Sequence, residues 1–259
     1  MKIKKYTNYR TIIKLFTEKS AKSGLKKNGL LLFFWLMIIV MQFEGCKTED
    51  DISKQLPPAH PCPGLAVVNY GGEDYPTVEI GNQCWLAKNL NIGNFIAADT
   101  EMTNNTEIEK YCYLNNPSLC LNYGGLYQWD EMMQYSNVEG SRGLCPEGWH
   151  IPTKKDFEGL LENIAEIRRL QDYRDPYWFW NQEDSAKITG FNALTGGQYW
   201  HSNHEFFGRH KIAVFWSSSE SDSTFAKSFQ VLGSAWEGPT FYDSNRLNAT
   251  SVRCIKDQE

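Results

Sequence analysis

The sequence predicts a disulfide-stapled α+β domain, with two helices in the middle and short twisted antiparallel strands on either side. Three observations carry this expectation. Strand-like runs lie before residue 90 and after residue 210. Two segments of helical periodicity lie between them. Six cysteines follow a leader of export type, and an even number in such a chain reads as three bridges. The composition agrees: 41% hydrophobic and 22% charged residues exclude wholesale disorder. No apolar run reaches the roughly 18 residues of a spanning helix, which excludes a multi-pass membrane protein.

The first 45 residues hold nine Lys/Arg and two acids, and Leu30–Met41 is apolar. A basic stretch before a run of about 12 apolar residues is a secretory signal rather than a span. It ends in Phe43-Glu44-Gly45-Cys46, which resembles a lipoprotein processing site, although Phe43 and Glu44 depart from the usual residues. Cys46 is therefore the expected lipidation site. Lys47-Thr48-Glu49-Asp50-Asp51 resembles the acidic signal that sends Bacteroidetes lipoproteins to the cell exterior. The expected organisation is a signal peptide over 1–45, a lipidated, Pro-bearing tether over 46–61 and one domain over 62–259. The expected address is the outer membrane, exposed at the surface and held by the lipid anchor. Loss of the leader takes nine of 26 basic and two of 31 acidic side chains, so the mature chain carries 17 against 29, a net −12. Such a surface repels phosphate backbones, so no nucleic-acid partner is expected.

Spacing selects among the pairings of the six remaining thiols. Cys112 and Cys120 flank the turn-rich Tyr-Leu-Asn-Asn-Pro-Ser-Leu and are paired first. Cys62 and Cys84 lie either side of a hairpin. Cys145 and Cys254 remain, closing a long loop. The absence of any Cys-x-x-Cys argues against a zinc site.

Along the domain, Ala66–Tyr70 and Thr77–Ile80 read as strands around the turn Gly71-Gly72-Glu73-Asp74, and Cys84-Trp85-Leu86 as a third. Residues 93–110 are polar and irregular. A first helix is expected over Gly125–Tyr135, with Leu126, Trp129 and Met133 on one face. A second begins at Thr153, where Asp156 three residues on makes a capping box, and its apolar face runs from Phe157 to Leu170. Strands return at Ile212–Ser217, Phe225–Leu232 and Ser251–Lys256.

Several segments together resemble the Fibrobacter succinogenes major paralogous domain. They are Gly81–Leu90, Tyr123-Gly124-Gly125-Leu126-Tyr127-Gln128-Trp129, Cys145–Thr153, Gly190–Leu194, Phe215–Ser219 and Ser251–Asp257, in that order, spanning residues 62–257. The resemblance implies a C-type lectin-like fold in an exported lipoprotein, and no catalytic residues to carry over. Sugar-binding lectins of that fold hold calcium with Glu-Pro-Asn or Gln-Pro-Asp and a later Trp-Asn-Asp; none is present here. The expected function is non-enzymatic binding of a glycan or a surface protein. A structural or fimbrial-tip envelope component and a glycan-active enzyme are the alternatives.

No cofactor, no metal and no catalytic residue is expected. His201, His204 and Glu205 come nearest to a zinc set, but zincin histidines stand four apart with Glu between them. His150 and Ser217-Ser218-Ser219 read as structural. The candidate binding residues are loop aromatics and an amide: Trp178, Trp180, Tyr199, Trp200, Trp236, Tyr242 and Asn245. Aromatic faces beside amides and acids stack on sugar rings or anchor a protein partner. Trp85, Trp129, Trp149 and Trp216 are expected in the core.

Overall fold

The computed structural model describes residues 60–164, 170–172, 175–177, 189–232 and 240–258. The signal peptide, Cys46 and the tether up to residue 59 lie outside them, as do Trp178, Trp180 and Trp236.

The described residues form fourteen strands and only three short helices, so the α+β, two-helix, C-type lectin-like expectation is corrected to a mostly β domain. Strands β1 (Val67–Tyr70), β2 (Glu73–Ile80), β3 (Gln83–Leu86), β14 (Ile255–Lys256) and β7 (Trp149–His150) form one sheet in the order β1-β2-β3-β14-β7. A second contains β10 (Ile212–Glu220), β11 (Phe225–Leu232) and β12 (Thr240–Asn245), all antiparallel. A third has the order β6-β13-β8-β9, from Tyr127–Gln128, Ala249–Thr250, Gln198–Trp200 and Glu205–Phe207. In the polar stretch, only the two-residue strands β4 (Asn94–Phe95) and β5 (Glu109–Lys110) pair, in parallel. The β1–β2 turn uses Gly71 and Gly72 at φ 58° and 80°. A Cβ on Gly71 would fall 2.4 Å from Ile92 Cγ2, so glycine is needed there for both reasons.

The first expected helix fails for a tertiary reason. Leu126 exchanges backbone hydrogen bonds with Tyr111. Tyr127 and Gln128 pair with β13, and the Gln128 amide donates to the Leu247 carbonyl. Distant strands thus take up the backbone that helical periodicity would have used, leaving one turn, α2 (Trp129–Met132). An unexpected helix, α1 (Pro117–Tyr123), precedes it; Asn116 caps it by accepting from Ser118 N–H, with Pro117 in the first turn. The second expected helix exists as α3 (Lys154–Glu162). Its Thr153/Asp156 capping box is complete, but the helix ends at Asn163, short of Leu170.

The core is aromatic. Trp85, Trp129 and Trp216 are fully buried, and Trp149 nearly so. The Trp129 and Trp216 indoles donate to the Ser217 and Tyr127 carbonyls at 2.9 and 2.8 Å. Phe157 of α3 stacks on Phe229 of β11 at 4.5 Å, which seats the helix on the second sheet. Three disulfides join Cys62–Cys84, Cys112–Cys120 and Cys145–Cys254, the pairs that spacing singles out.

Candidate functional site

The candidate site is the outer face of the β8–β9 hairpin. Gly197 sets its base at φ 70°, where a Cβ would lie 2.5 Å from both the Phe207 carbonyl oxygen and the Arg209 nitrogen. Register then divides the hairpin. Tyr199 pairs with Phe206, Trp200 with Glu205, and Gln198 with Phe207. Side chains alternate across a strand, so Tyr199 and Phe206 share one face while Trp200, Glu205 and Phe207 share the other.

The first face is core. Tyr199 is 1% exposed, meets Tyr111 edge-on at 5.2 Å and donates its hydroxyl to the Ala98 carbonyl at 2.8 Å. It is therefore corrected from a ligand-contact candidate to a packing residue. The second face buries Gln198 at the base of the hairpin and is open beyond it. Trp200 stacks on Phe207 at 4.4 Å and 19°, and Phe207 is 42% exposed. Glu205 lies across the strand pair from Trp200, and its carboxylate accepts from the Asn203 amide at 2.9 Å. The arrangement is an aromatic platform two rings deep beside a carboxylate and an amide. Reading the sequence alone passes over Phe207, because only register shows that it backs onto Trp200.

The remaining candidates disperse. Tyr242 is exposed on β12, opposite Ser228 of the second sheet. Asn245 closes a turn, its side chain accepting from Leu247 N–H and its carbonyl from Asn248 N–H. The Asn248 side chain in turn accepts from His201 N–H, bracing the hairpin tip.

His201, His204 and Glu205 do not converge on one point. Tyr199 Oη bonds His204 Nδ1 at 2.9 Å, His201 Nε2 lies 3.7 Å from Glu101, and Glu205 faces Asn203. Among the described residues no three His, Cys, Asp or Glu side chains come together as a metal-ligand set. The hydroxyl run on β10 is buried and bonded inward: Ser217 Oγ donates to the Lys227 carbonyl, and Ser218 Oγ to the Ile151 carbonyl. A groove of about 520 Å³ beside β1 is lined by Val67, Val68, Trp149 and Asp257 among others. Its one indole, Trp149, is only 4% exposed, so the groove presents no aromatic face.

His150 is a clamp between two acids. Nδ1 lies 2.7 Å from Asp257 and Nε2 3.4 Å from Asp156, whose carboxylate also caps α3. Burial works against the charged ring, but the two carboxylates outweigh it, and the His150 pKa is raised. Burial likewise opposes the Asp156 carboxylate, yet its bonds to His150 and Thr153 hold its pKa below the ordinary value. The signs differ. The His150 contribution is whole below the ordinary imidazole value and is lost as pH rises through the raised one. The Asp156 contribution is whole above the ordinary carboxylate value and is lost as pH falls through the lowered one. His150→Gln is therefore expected to lower the melting temperature by roughly 2–4 °C more at about pH 5.5 than at about pH 8, read by thermal unfolding at both. An equal drop at both would contradict the clamp.

No curated protein and no solved structure matches the chain. The profile of the Fibrobacter succinogenes major domain (Fib_succ_major) matches residues 78–256, which include the hairpin and five of the six disulfide cysteines: Cys84, Cys112, Cys120, Cys145 and Cys254. The match spans well over half of the 259 residues, and the chain belongs to the Fibrobacter succinogenes major domain family.

Proposed function

We propose that this is an exported cell-surface lipoprotein, anchored through Cys46, whose domain binds glycan without turning it over. The single observation that supports the binding role is the outward stack of Trp200 on Phe207 beside Glu205 and Asn203. A sugar's apolar C–H face packs on an exposed ring, while a carboxylate and an amide accept and donate to its hydroxyls. Three disulfides suit an oxidising compartment. The chemistry-bearing groups His150 and Ser217–Ser219 are engaged in holding the fold, which favours binding over catalysis.

The test is binding of the oxidised protein to glycan and mucin arrays, with calcium and with EDTA. Phe207→Ala and Trp200→Ala are each expected to weaken binding roughly tenfold, about 1.4 kcal/mol, with no effect of EDTA. Binding to no glycan would overturn the glycan reading. Cys46→Ala is expected to move the protein from the membrane to the soluble fraction; unchanged membrane attachment would overturn the anchor.

A further inference from the structure

Outside the hairpin, one cluster joins an amine, a carboxamide and a carboxylate. Lys110 Nζ on β5 donates to Asn91 Oδ1 at 2.8 Å and to the Asn91 carbonyl at 2.9 Å. Asn91 Nδ2 donates to Glu73 Oε1 at 2.6 Å, and Lys88 holds the other Glu73 oxygen at 2.5 Å. We propose that Lys110 and Asn91 form an intramolecular isopeptide bond, with Glu73 carrying the proton.

The chemistry balances without a co-reactant. Glu73 takes a proton from the Lys110 ammonium. The free amine attacks Asn91 Cγ, the Nζ–Cγ bond forms and the Cγ–Nδ2 bond breaks. Glu73 delivers that proton to the departing Nδ2, which leaves as ammonia, and then takes up the second Nζ proton as the neutral amide forms; nothing is oxidised or reduced. The amine and the leaving nitrogen are each in place, and Glu73 is near enough for its charge to act on Lys110. The Oδ1 contact sets the amine one bond from the carbon it attacks, and Glu73 already touches the leaving nitrogen. Asn91 is 7% exposed, and its backbone is clamped. Asn91 N–H donates to the buried Tyr75 hydroxyl at 3.1 Å, and Tyr127 Oη bonds both the N–H and the carbonyl of Ile92. Fixed geometry of this kind replaces much of the entropy cost of bringing two groups together. Burial lowers the Lys110 pKa, against the opposing charge of Glu73, which raises the share of free amine. Lys88 touches Glu73 rather than Asn91, so Lys110 is the nucleophile.

The position makes sense as a staple. Residues 93–110 contain only the two-residue β4–β5 pair. The stretch lies between the Cys62–Cys84 and Cys112–Cys120 bridges and has no disulfide of its own. A link from residue 91 to residue 110 closes it.

The test is a peptide map of the purified full chain after reduction and alkylation. The expected result is a branched peptide joining the Asn91 and Lys110 segments, lighter than their sum by one ammonia. It is expected to disappear in Lys110→Arg, which keeps the cation but not the primary amine, and to fall at least tenfold in Glu73→Gln. Recovery of the two segments as separate peptides from the wild-type protein, unmodified or deamidated, would overturn the proposal whether or not either variant folds. A full yield of branched peptide from Glu73→Gln would overturn the assignment of the proton carrier.

Discussion

Arg253→Met is expected to cost about 3–5 kcal/mol of unfolding free energy, the usual result of removing one member of a buried charged network. The guanidinium is fully buried. Nη1 donates to the Leu86 carbonyl at 2.8 Å and to the Phe191 carbonyl, Nη2 to Asn89 Oδ1 at 2.6 Å and to the Asn192 carbonyl at 3.3 Å, and Nε again to Asn89 Oδ1. The cation also lies 4.5 Å from the Phe191 ring. Burial pushes its pKa down to about 9, opposed by the charge of Asp172, so it stays cationic at neutral pH. Methionine fills the stem but satisfies none of these acceptors, and each buried carbonyl left unpaired costs about 1–3 kcal/mol. Arg253→Lys is expected to recover little, because a point charge with three donors cannot span this fork of acceptors. Denaturant titration under oxidising conditions reads both. A loss under about 1 kcal/mol for Arg253→Met would show that the network holds little of the fold.

The second large effect comes from the neighbouring residue. Cys145→Ser with Cys254→Ser opens a loop spanning 109 residues and is expected to lose about 4–5 kcal/mol in the chain-entropy treatment. The Cys112–Cys120 bridge spans only 8, and its removal is expected to cost roughly 2–3 kcal/mol in the same treatment. The order of the two losses in denaturant titrations is the informative quantity. Equal losses, or the reverse order, would mean that native packing rather than loop closure sets the worth of the long bridge. Because Cys254 adjoins Arg253, the two large effects are not expected to add.

Much of the local structure is legible in the sequence for reasons visible in single residues. Thr153 and Asp156 announce a helix start with their own side chains, so α3 begins where expected. Phe225–Leu232 is bounded by polar turn residues and forms a strand with those limits. The four motif tryptophans are large and apolar, and all are buried. What is not legible depends on partners far along the chain. The stretch from Gly125 carries a helical stripe, yet Tyr111 and Ala249 claim its backbone. Tyr199 and Trp200 look alike as neighbouring aromatics. Register alone buries the first and turns out the second, and brings Phe207 to its side. Arg253 reads as one more charge in a closing strand until the fold surrounds it with four acceptors. Asn91 meets Glu73 and Lys110 only in the fold, across separations of 18 and 19 residues.

The binding account is tested most directly by comparing neighbours on one strand. Glycan affinity and thermal stability are measured side by side for Trp200→Ala and Tyr199→Phe. The expected result is a split. Trp200→Ala loses affinity roughly tenfold with little change in melting temperature, whereas Tyr199→Phe loses its buried hydrogen bond to Ala98 and about 1 kcal/mol of stability while keeping affinity. Full affinity in Trp200→Ala, with binding abolished in a folded Tyr199→Phe, would contradict the assignment of the outer hairpin face.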